Sequence, residues 1–143
     1  GTATLRQVHF SLVDLELQNS YQPGGEEKAS DLRARIAKTT TVIPPLPEDA
    51  FLCAFGHIFA GGYASGYYSY KWAEVLSADA FAAFEEAGLE NEAAVKDTGK
   101  RYRETVLALG GSKHPMEVFK NFRGREPSTE PLLRHNGLAS SSA

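Results

Sequence analysis

The chain has 143 residues, 42% of them hydrophobic and 23% charged, which is the length of one ordinary domain and a composition that argues against wholesale disorder. Its formal charge of −3 offers no basic field to a nucleic-acid backbone, and no run of about 18 apolar residues is present to cross a membrane. The single cysteine, Cys53, has no partner for an internal disulfide, which suits a reducing compartment.

The only methionine is Met116, and the chain opens at Thr2-Ala3-Thr4-Leu5-Arg6 in helical rhythm with no charged-then-apolar leader. We therefore expect a piece of something longer. Leu5, Val8, Leu12 and Leu15 recur at helical spacing, and Phe10, Val13 and Leu17 add a second apolar face, the pattern of a helix buried on two sides. Pro23-Gly24-Gly25 breaks it. Residues 26–38 are polar and helix-forming, and the β-branched run 39–43 with Pro44-Pro45 ends them. Pro47-Glu48-Asp49 predicts a further helix start. A glycine-rich loop follows. A long helix is predicted over 67–87, with Trp72, Val75, Leu76, Ala80 and Phe84 on one side and Gly88 as its stop. Asn91 caps a helix that runs to Gly110-Gly111, Pro115 opens a short one stopped by Gly124, and Ser128-Thr129-Glu130-Pro131 caps a last one. The tail 139–143 is predicted to be unstructured. The fold class is all-α, with six or seven helices and a glycine/tyrosine-rich loop.

The chemistry concentrates between residues 57 and 70. Four of the six tyrosines fall at 63–70. If a helix begins near Tyr63, then Tyr63, Tyr67 and Tyr70 lie at i, i+4 and i+7 on one face. A phenol is a neutral donor at pH 7, suited to an oxyanion that develops during acyl chemistry. His57 can add a donor across the glycines, and Gly61 and Gly62 let backbone approach a bound peptide. The same spacing also suits an interior aromatic face, which is the expectation for Tyr68 and Trp72 at i, i+4.

Other chemistries find no signature. None of the four histidines begins HExxH, no zinc-ligand spacing occurs, and there is neither a GxSxG elbow nor a phosphate-binding loop. Gly61-Gly62-Tyr63-Ala64-Ser65-Gly66 lacks the preceding strand that a nucleotide loop needs. His9 reads as a hydrogen-bonded interior histidine, and Arg123 and Arg125 as a solvated helix terminus or a grip for an anion.

The string His57-Ile58-Phe59-Ala60-Gly61-Gly62-Tyr63-Ala64-Ser65-Gly66-Tyr67-Tyr68-Ser69-Tyr70 resembles the substrate-binding loop of the thimet-oligopeptidase (M3) family of zinc metallopeptidases, nearest to its plant-like oligopeptidase A branch. Ala3-Thr4-Leu5-Arg6-Gln7, Pro44-Pro45-Leu46-Pro47, Tyr70-Lys71-Trp72-Ala73-Glu74-Val75, Gly110-Gly111-Ser112 and Phe122-Arg123-Gly124-Arg125-Glu126-Pro127 resemble the same family's C-terminal part. The likeness spans about residues 3–138. It implies a largely helical, two-lobed zincin that admits short peptides, with residues 1–138 forming the C-terminal portion of its catalytic domain. It further implies that zinc is the parent enzyme's cofactor, held by HExxH and a downstream glutamate upstream of Gly1. This chain would then contribute no metal ligand and would be inactive alone.

By the same resemblance, the positions matching His57 and Tyr70 would be catalytic, contacting the tetrahedral species. Those matching Tyr63, Tyr67, Gly61 and Gly62 would bind substrate. The implied partners are short peptides and the preceding, zinc-binding part of the same enzyme, with no nucleic acid and no membrane. The implied location is the cytoplasm, or a plastid or mitochondrial matrix if an upstream transit peptide exists. A stand-alone helical module that binds peptide without cleaving it remains the alternative.

Overall fold

A computed structural model describes residues 1–139, so the predicted unstructured tail falls, from Ser140 on, outside the described residues. These residues form seven α-helices, a short 3-10 turn and a π-helical segment, with no strand among them. They divide into two compact units, Gly1–Lys71 and the described residues from Trp72 on.

In the first unit, α1 (Thr2–Asn19) and α2 (Ala29–Thr40) pack together. Their shared core is Val13, Leu32 and Ile36, flanked by Leu17, Tyr21 and Leu52. Phe10, Val13 and Leu17 recur at i, i+3 and i+7, so α1 points one stripe inward. Val13 and Leu32 are almost wholly hidden, and each contributes about 2 kcal/mol by leaving water. Leu17 also reaches a second cluster of Phe55, Ile58 and Tyr67, so one helix face organises both.

The other apolar face of α1 departs from expectation. Leu5, Val8, Leu12 and Leu15 are each 36–38% exposed, so α1 is buried on one side only.

Helix α2 ends where three threonines turn their hydroxyls back on the chain. Thr39 and Thr40 donate to the Ile36 carbonyl and Thr41 to that of Ala37, at 3.1, 2.8 and 2.8 Å. Such bonds compete with continued helix, and Thr41 is already extended. His9 is interior as expected. Its Nδ1 lies 2.8 Å from the Thr40 Oγ1, and because that hydroxyl already donates to Ile36, the ring nitrogen is the donor. The helix predicted from Pro47 shrinks to one turn, α3 (Phe51–Ala54), because Pro47 and Glu48 form a turn and residues 49–50 take no regular conformation.

The predicted helix at 67–87 begins instead at Ser69, as α4 (Ser69–Ala87), with Tyr63 irregular and residues 64–68 in turns. The three tyrosines therefore do not share a helix face. Tyr68 and Trp72, expected inside, are 50% and 44% exposed.

The second unit is built on the remainder of α4, whose buried Val75, Ala78, Asp79, Ala82 and Ala83 make one helical stripe. Asn91 caps α5 (Glu92–Tyr102) by accepting from the Ala94 amide at 3.2 Å. The helix predicted to reach Gly110 loses its α register at Arg103–Leu107, which is π-helical. His114 Nδ1 caps α6 (Pro115–Arg123), whose Val118, Phe119 and Phe122 are buried, and α7 (Glu130–His135) follows.

Arg123 and Arg125 form neither a solvated terminus nor an open anion grip. Both reach Asp79, which is fully buried and also accepts the Ser128 amide at 2.7 Å. Arg123 additionally holds Glu86 in a two-bond fork, at 2.8 and 2.6 Å. Burial pushes the Asp79 carboxyl up, but the Arg125 bond, the Ser128 amide and both guanidinium charges outweigh it and leave the pKa lowered. The knot ties the chain after α6 to the middle of α4.

Candidate functional site

All four predicted side chains, His57, Tyr63, Tyr67 and Tyr70, lie in the first unit and meet. His57 stands in the 3-10 turn Gly56–Ile58. Its ring is 6.1 Å from that of Tyr67, edge-on at 88°, and 6.4 Å from that of Tyr63. Tyr63 stacks on Tyr70 at 4.9 Å, and Tyr70 meets Tyr67 edge-to-face at 5.3 Å. The contacts close a cycle of four rings. Offset-stacked and T-shaped pairs are the arrangements that aromatic quadrupoles favour.

Tyr67 is the floor of this cycle. It is buried, packs against Phe10 and Phe55, and donates its hydroxyl to Gln7 Oε1 at 3.1 Å. His57 and Tyr70 are exposed and Tyr63 half-buried, so the open side carries one imidazole and two phenols. A hydrogen bond with Tyr63 raises the Tyr70 pKa above its ordinary value of 10.0, with desolvation and the neighbouring phenols adding to the shift. Tyr70 is thus a neutral donor throughout the physiological range.

The backbone around the glycines is tightly wound. Gly61 N donates to Gly56 O at 2.8 Å and Tyr63 N to His57 O at 3.0 Å. A Cβ on Gly61 would lie 2.7 Å from His57 Cα and 2.9 Å from its carbonyl oxygen, so only glycine fits this close approach. Gly62 has open space but takes φ +80°, a conformation L side chains rarely adopt. Ser65 adopts φ 56° without being glycine, at a cost of about 1 kcal/mol.

What sustains Ser65 is a residue the sequence reading passed over. Asp14 of α1 is fully buried, and its two carboxylate oxygens accept the Ser65 and Tyr67 amides, each at 2.9 Å. Gln18 donates to the Ile58 carbonyl at 3.2 Å from the same helix. Gln7, Asp14 and Gln18 sit at i, i+7 and i+11, a polar stripe along a helix otherwise judged by its leucines. That stripe was the available signal.

No group of three His, Cys, Asp or Glu side chains among the described residues could hold a metal ion. The four-ring cycle offers donors and ring faces, not a cation seat. No described helix is long and apolar enough to cross a membrane. Elsewhere in the first unit, Leu5, His9, Phe10, Arg33, Ile43 and Phe51 help line a cavity of about 480 Å³.

The family model for peptidase family M3 matches residues 1–138. The chain is 66% identical over its full length to the organellar (chloroplastic/mitochondrial) oligopeptidase A of Arabidopsis thaliana and to that plant's probable cytosolic oligopeptidase A. It is 46% identical over 134 residues, 94% of its length, to oligopeptidase A of Escherichia coli. It spans only 18–20% of the length of these relatives.

Proposed function

The chain belongs to peptidase family M3, and on that premise we propose that it is the C-terminal part of the catalytic region of an oligopeptidase that cleaves short peptides. The observation that carries the reading is the closed cycle of His57, Tyr63, Tyr67 and Tyr70. It turns one imidazole and two neutral phenols to the same open side. When attack on a peptide carbonyl makes its oxygen negative, preformed donors aimed at that oxygen lower the barrier without reorganising. His57 and Tyr70 take this role. Tyr63 lies against Tyr70 and meets the peptide beside the scissile bond. Tyr67 gives the floor, meeting substrate by its ring edge and hydroxyl oxygen, while Gly61 and Gly62 let peptide backbone pass close.

The zinc of the parent enzyme has no ligand set among the described residues. We therefore assign this region the oxyanion and substrate side of the site alone. The nucleophile belongs to the rest of the enzyme, which is this chain's principal partner. The exposed stripe Leu5, Val8, Leu12 and Leu15 favours this over a stand-alone module, since four large aliphatics in line on one helix are an interface signature. The plant relatives' names place one in plastids and mitochondria and call the other cytosolic, and this chain's parent occupies one of those compartments.

The test is Tyr70→Phe in the full-length enzyme. The fold loses one hydroxyl and keeps the ring, so kcat should fall by about 10²-fold or more with a modest change in KM. An unchanged kcat refutes the role.

A further inference from the structure

Helix α1 holds the site loop at three points. Gln18 takes the carbonyl of Ile58 near the start of the loop, and Gln7 takes the hydroxyl of Tyr67 at its end. Between them Asp14 takes two backbone amides, Ser65 and Tyr67, one on each carboxylate oxygen. Asp14 is 0% exposed. A carboxylate without water persists only when its oxygens are bonded, and here two loop amides do most of that work.

The dependence runs both ways. Ser65 is held at φ 56°, a conformation that persists in a non-glycine residue only where the surroundings over-determine it. The two amides bracket Gly66, so the carboxylate fixes the turn from which Tyr67 enters the cycle. The Tyr70 amide then bonds to the Tyr67 carbonyl at 3.3 Å, one turn further on. Residues 59–64 carry Tyr63 and both glycines, and α1 makes no hydrogen bond to them that matches these three.

We propose that Asp14 is the positioning residue of the tyrosine site. By clamping the Ser65 and Tyr67 amides it sets where the Tyr67 and Tyr70 rings stand, and it touches no substrate itself. The proposal rests on the reading of this region as the oxyanion side of a peptidase. Asp14→Asn is the informative change because the side chain keeps its size. One oxygen becomes an NH2 group facing an amide N–H, so donor meets donor and one loop amide loses its partner.

The experiment compares Asp14→Asn and Tyr70→Phe in the full-length enzyme, using kcat and KM on a short internally quenched peptide, and amide hydrogen exchange. For Asp14→Asn, kcat is expected to fall by roughly ten- to a hundredfold, as displacement of reacting groups by about 1 Å does. KM should move much less. The Ser65 and Tyr67 amides should exchange at least about tenfold faster while those of Leu32 and Ile36 keep their protection.

Wild-type kcat in Asp14→Asn beside a crippled Tyr70→Phe overturns the proposal. So does uniform loss of protection across residues 1–71, which a merely structural carboxylate would cause. If Tyr70→Phe keeps full kcat, the peptidase reading of the site fails, and site-specific exchange alone then decides whether Asp14 fixes the loop. Should Asp14→Asn not fold, the unmutated enzyme still decides. Its Ser65 and Tyr67 amides must exchange at least about tenfold slower than free loop amides, and free exchange at both overturns the clamp.

Discussion

Replacing Gly61 with alanine puts a methyl carbon where the backbone of His57 already stands. The new Cβ would lie 2.7 Å from His57 Cα, 2.9 Å from His57 O and 3.1 Å from Gly56 O, where ordinary contact begins at 3.4 Å. The worst pair must open by about 0.7 Å to reach ordinary contact, and all three neighbours are backbone, so no side chain can swing away. Opening the winding strains the bonds from Gly61 to Gly56 and from Tyr63 to His57. Overpacking of this kind costs about 1–3 kcal/mol. It also displaces the His57 ring relative to Tyr63 and Tyr67, whose centroids are now 6.4 and 6.1 Å distant. A displacement approaching 1 Å at an oxyanion donor corresponds to a loss of roughly 10²-fold. In the full-length enzyme, Gly61→Ala should therefore cut kcat by about ten- to a hundredfold while the zinc content stays at the wild-type level. Steady-state kinetics on a short quenched peptide, with metal analysis of the same samples, reads both quantities. Wild-type kcat in a fully metallated Gly61→Ala enzyme would refute the link from loop winding to His57 placement.

Gly62→Ala meets no atom within 4 Å but must hold φ +80°, so urea titration should show about 1–2 kcal/mol of lost stability and kinetics a smaller loss than at Gly61; a larger kcat loss than Gly61→Ala would contradict the steric account. Asp79→Asn leaves Arg123, whose side chain is 5% exposed, without its buried counter-charge, and should cost about 3 kcal/mol, read as a drop in Tm of roughly 10 °C. Because the Asp79 pKa is lowered on folding, its contribution is complete above about pH 4, the ordinary carboxyl range, and disappears as pH falls through the lowered value; a wild-type acid profile in Asp79→Asn would count against it. His9 has its pKa lowered, first by burial and then by the charge of Arg33. The folded state thus binds fewer protons, and stability should decline as pH falls below 6.5. His9→Asn, which retains a donor toward Thr40, should flatten that decline in denaturant melts at pH 7 and 5. Finally, the 143-residue chain supplied with zinc should hydrolyse no peptide, and metal-dependent turnover by it would break the assignment of the nucleophile to the rest of the enzyme.

The sequence made legible which side chains of the candidate site would meet, but not how they are brought together. His57, Tyr63, Tyr67 and Tyr70 were visible as a cluster because they crowd into fourteen residues around two glycines. Helical spacing predicts their convergence on one helix face, whereas the structure reaches it by turns that include the positive φ of Gly62 and Ser65. Local periodicity carries no trace of that route. Its determinant is Asp14, which lies 51 and 53 residues from the amides it holds. The same blindness applies at Asp79, whose arginines are 44 and 46 residues away. Helix count, the Asn91 cap and the Pro115 helix start came through because they depend on neighbours three or four positions away. The leucine face of α1 was read correctly as apolar, but periodicity alone does not say whether a second stripe finds cover within the same unit.

The 51-residue gap between Asp14 and the Ser65 amide also sets an order of events during synthesis. At about 5–20 residues per second, helix α1 is on hand for roughly 3–10 s before the amides that complete its carboxylate arrive. During that interval Asp14 needs water, so the helix cannot bury its polar stripe early without penalty. Docking of α1 against the loop is therefore tied to the emergence of Tyr67, and the tyrosine loop and the helix beneath it mature together. A nascent chain stopped short of that point would hold α1 and α2 with the Asp14 carboxylate still lacking the two amides that satisfy it in the finished unit.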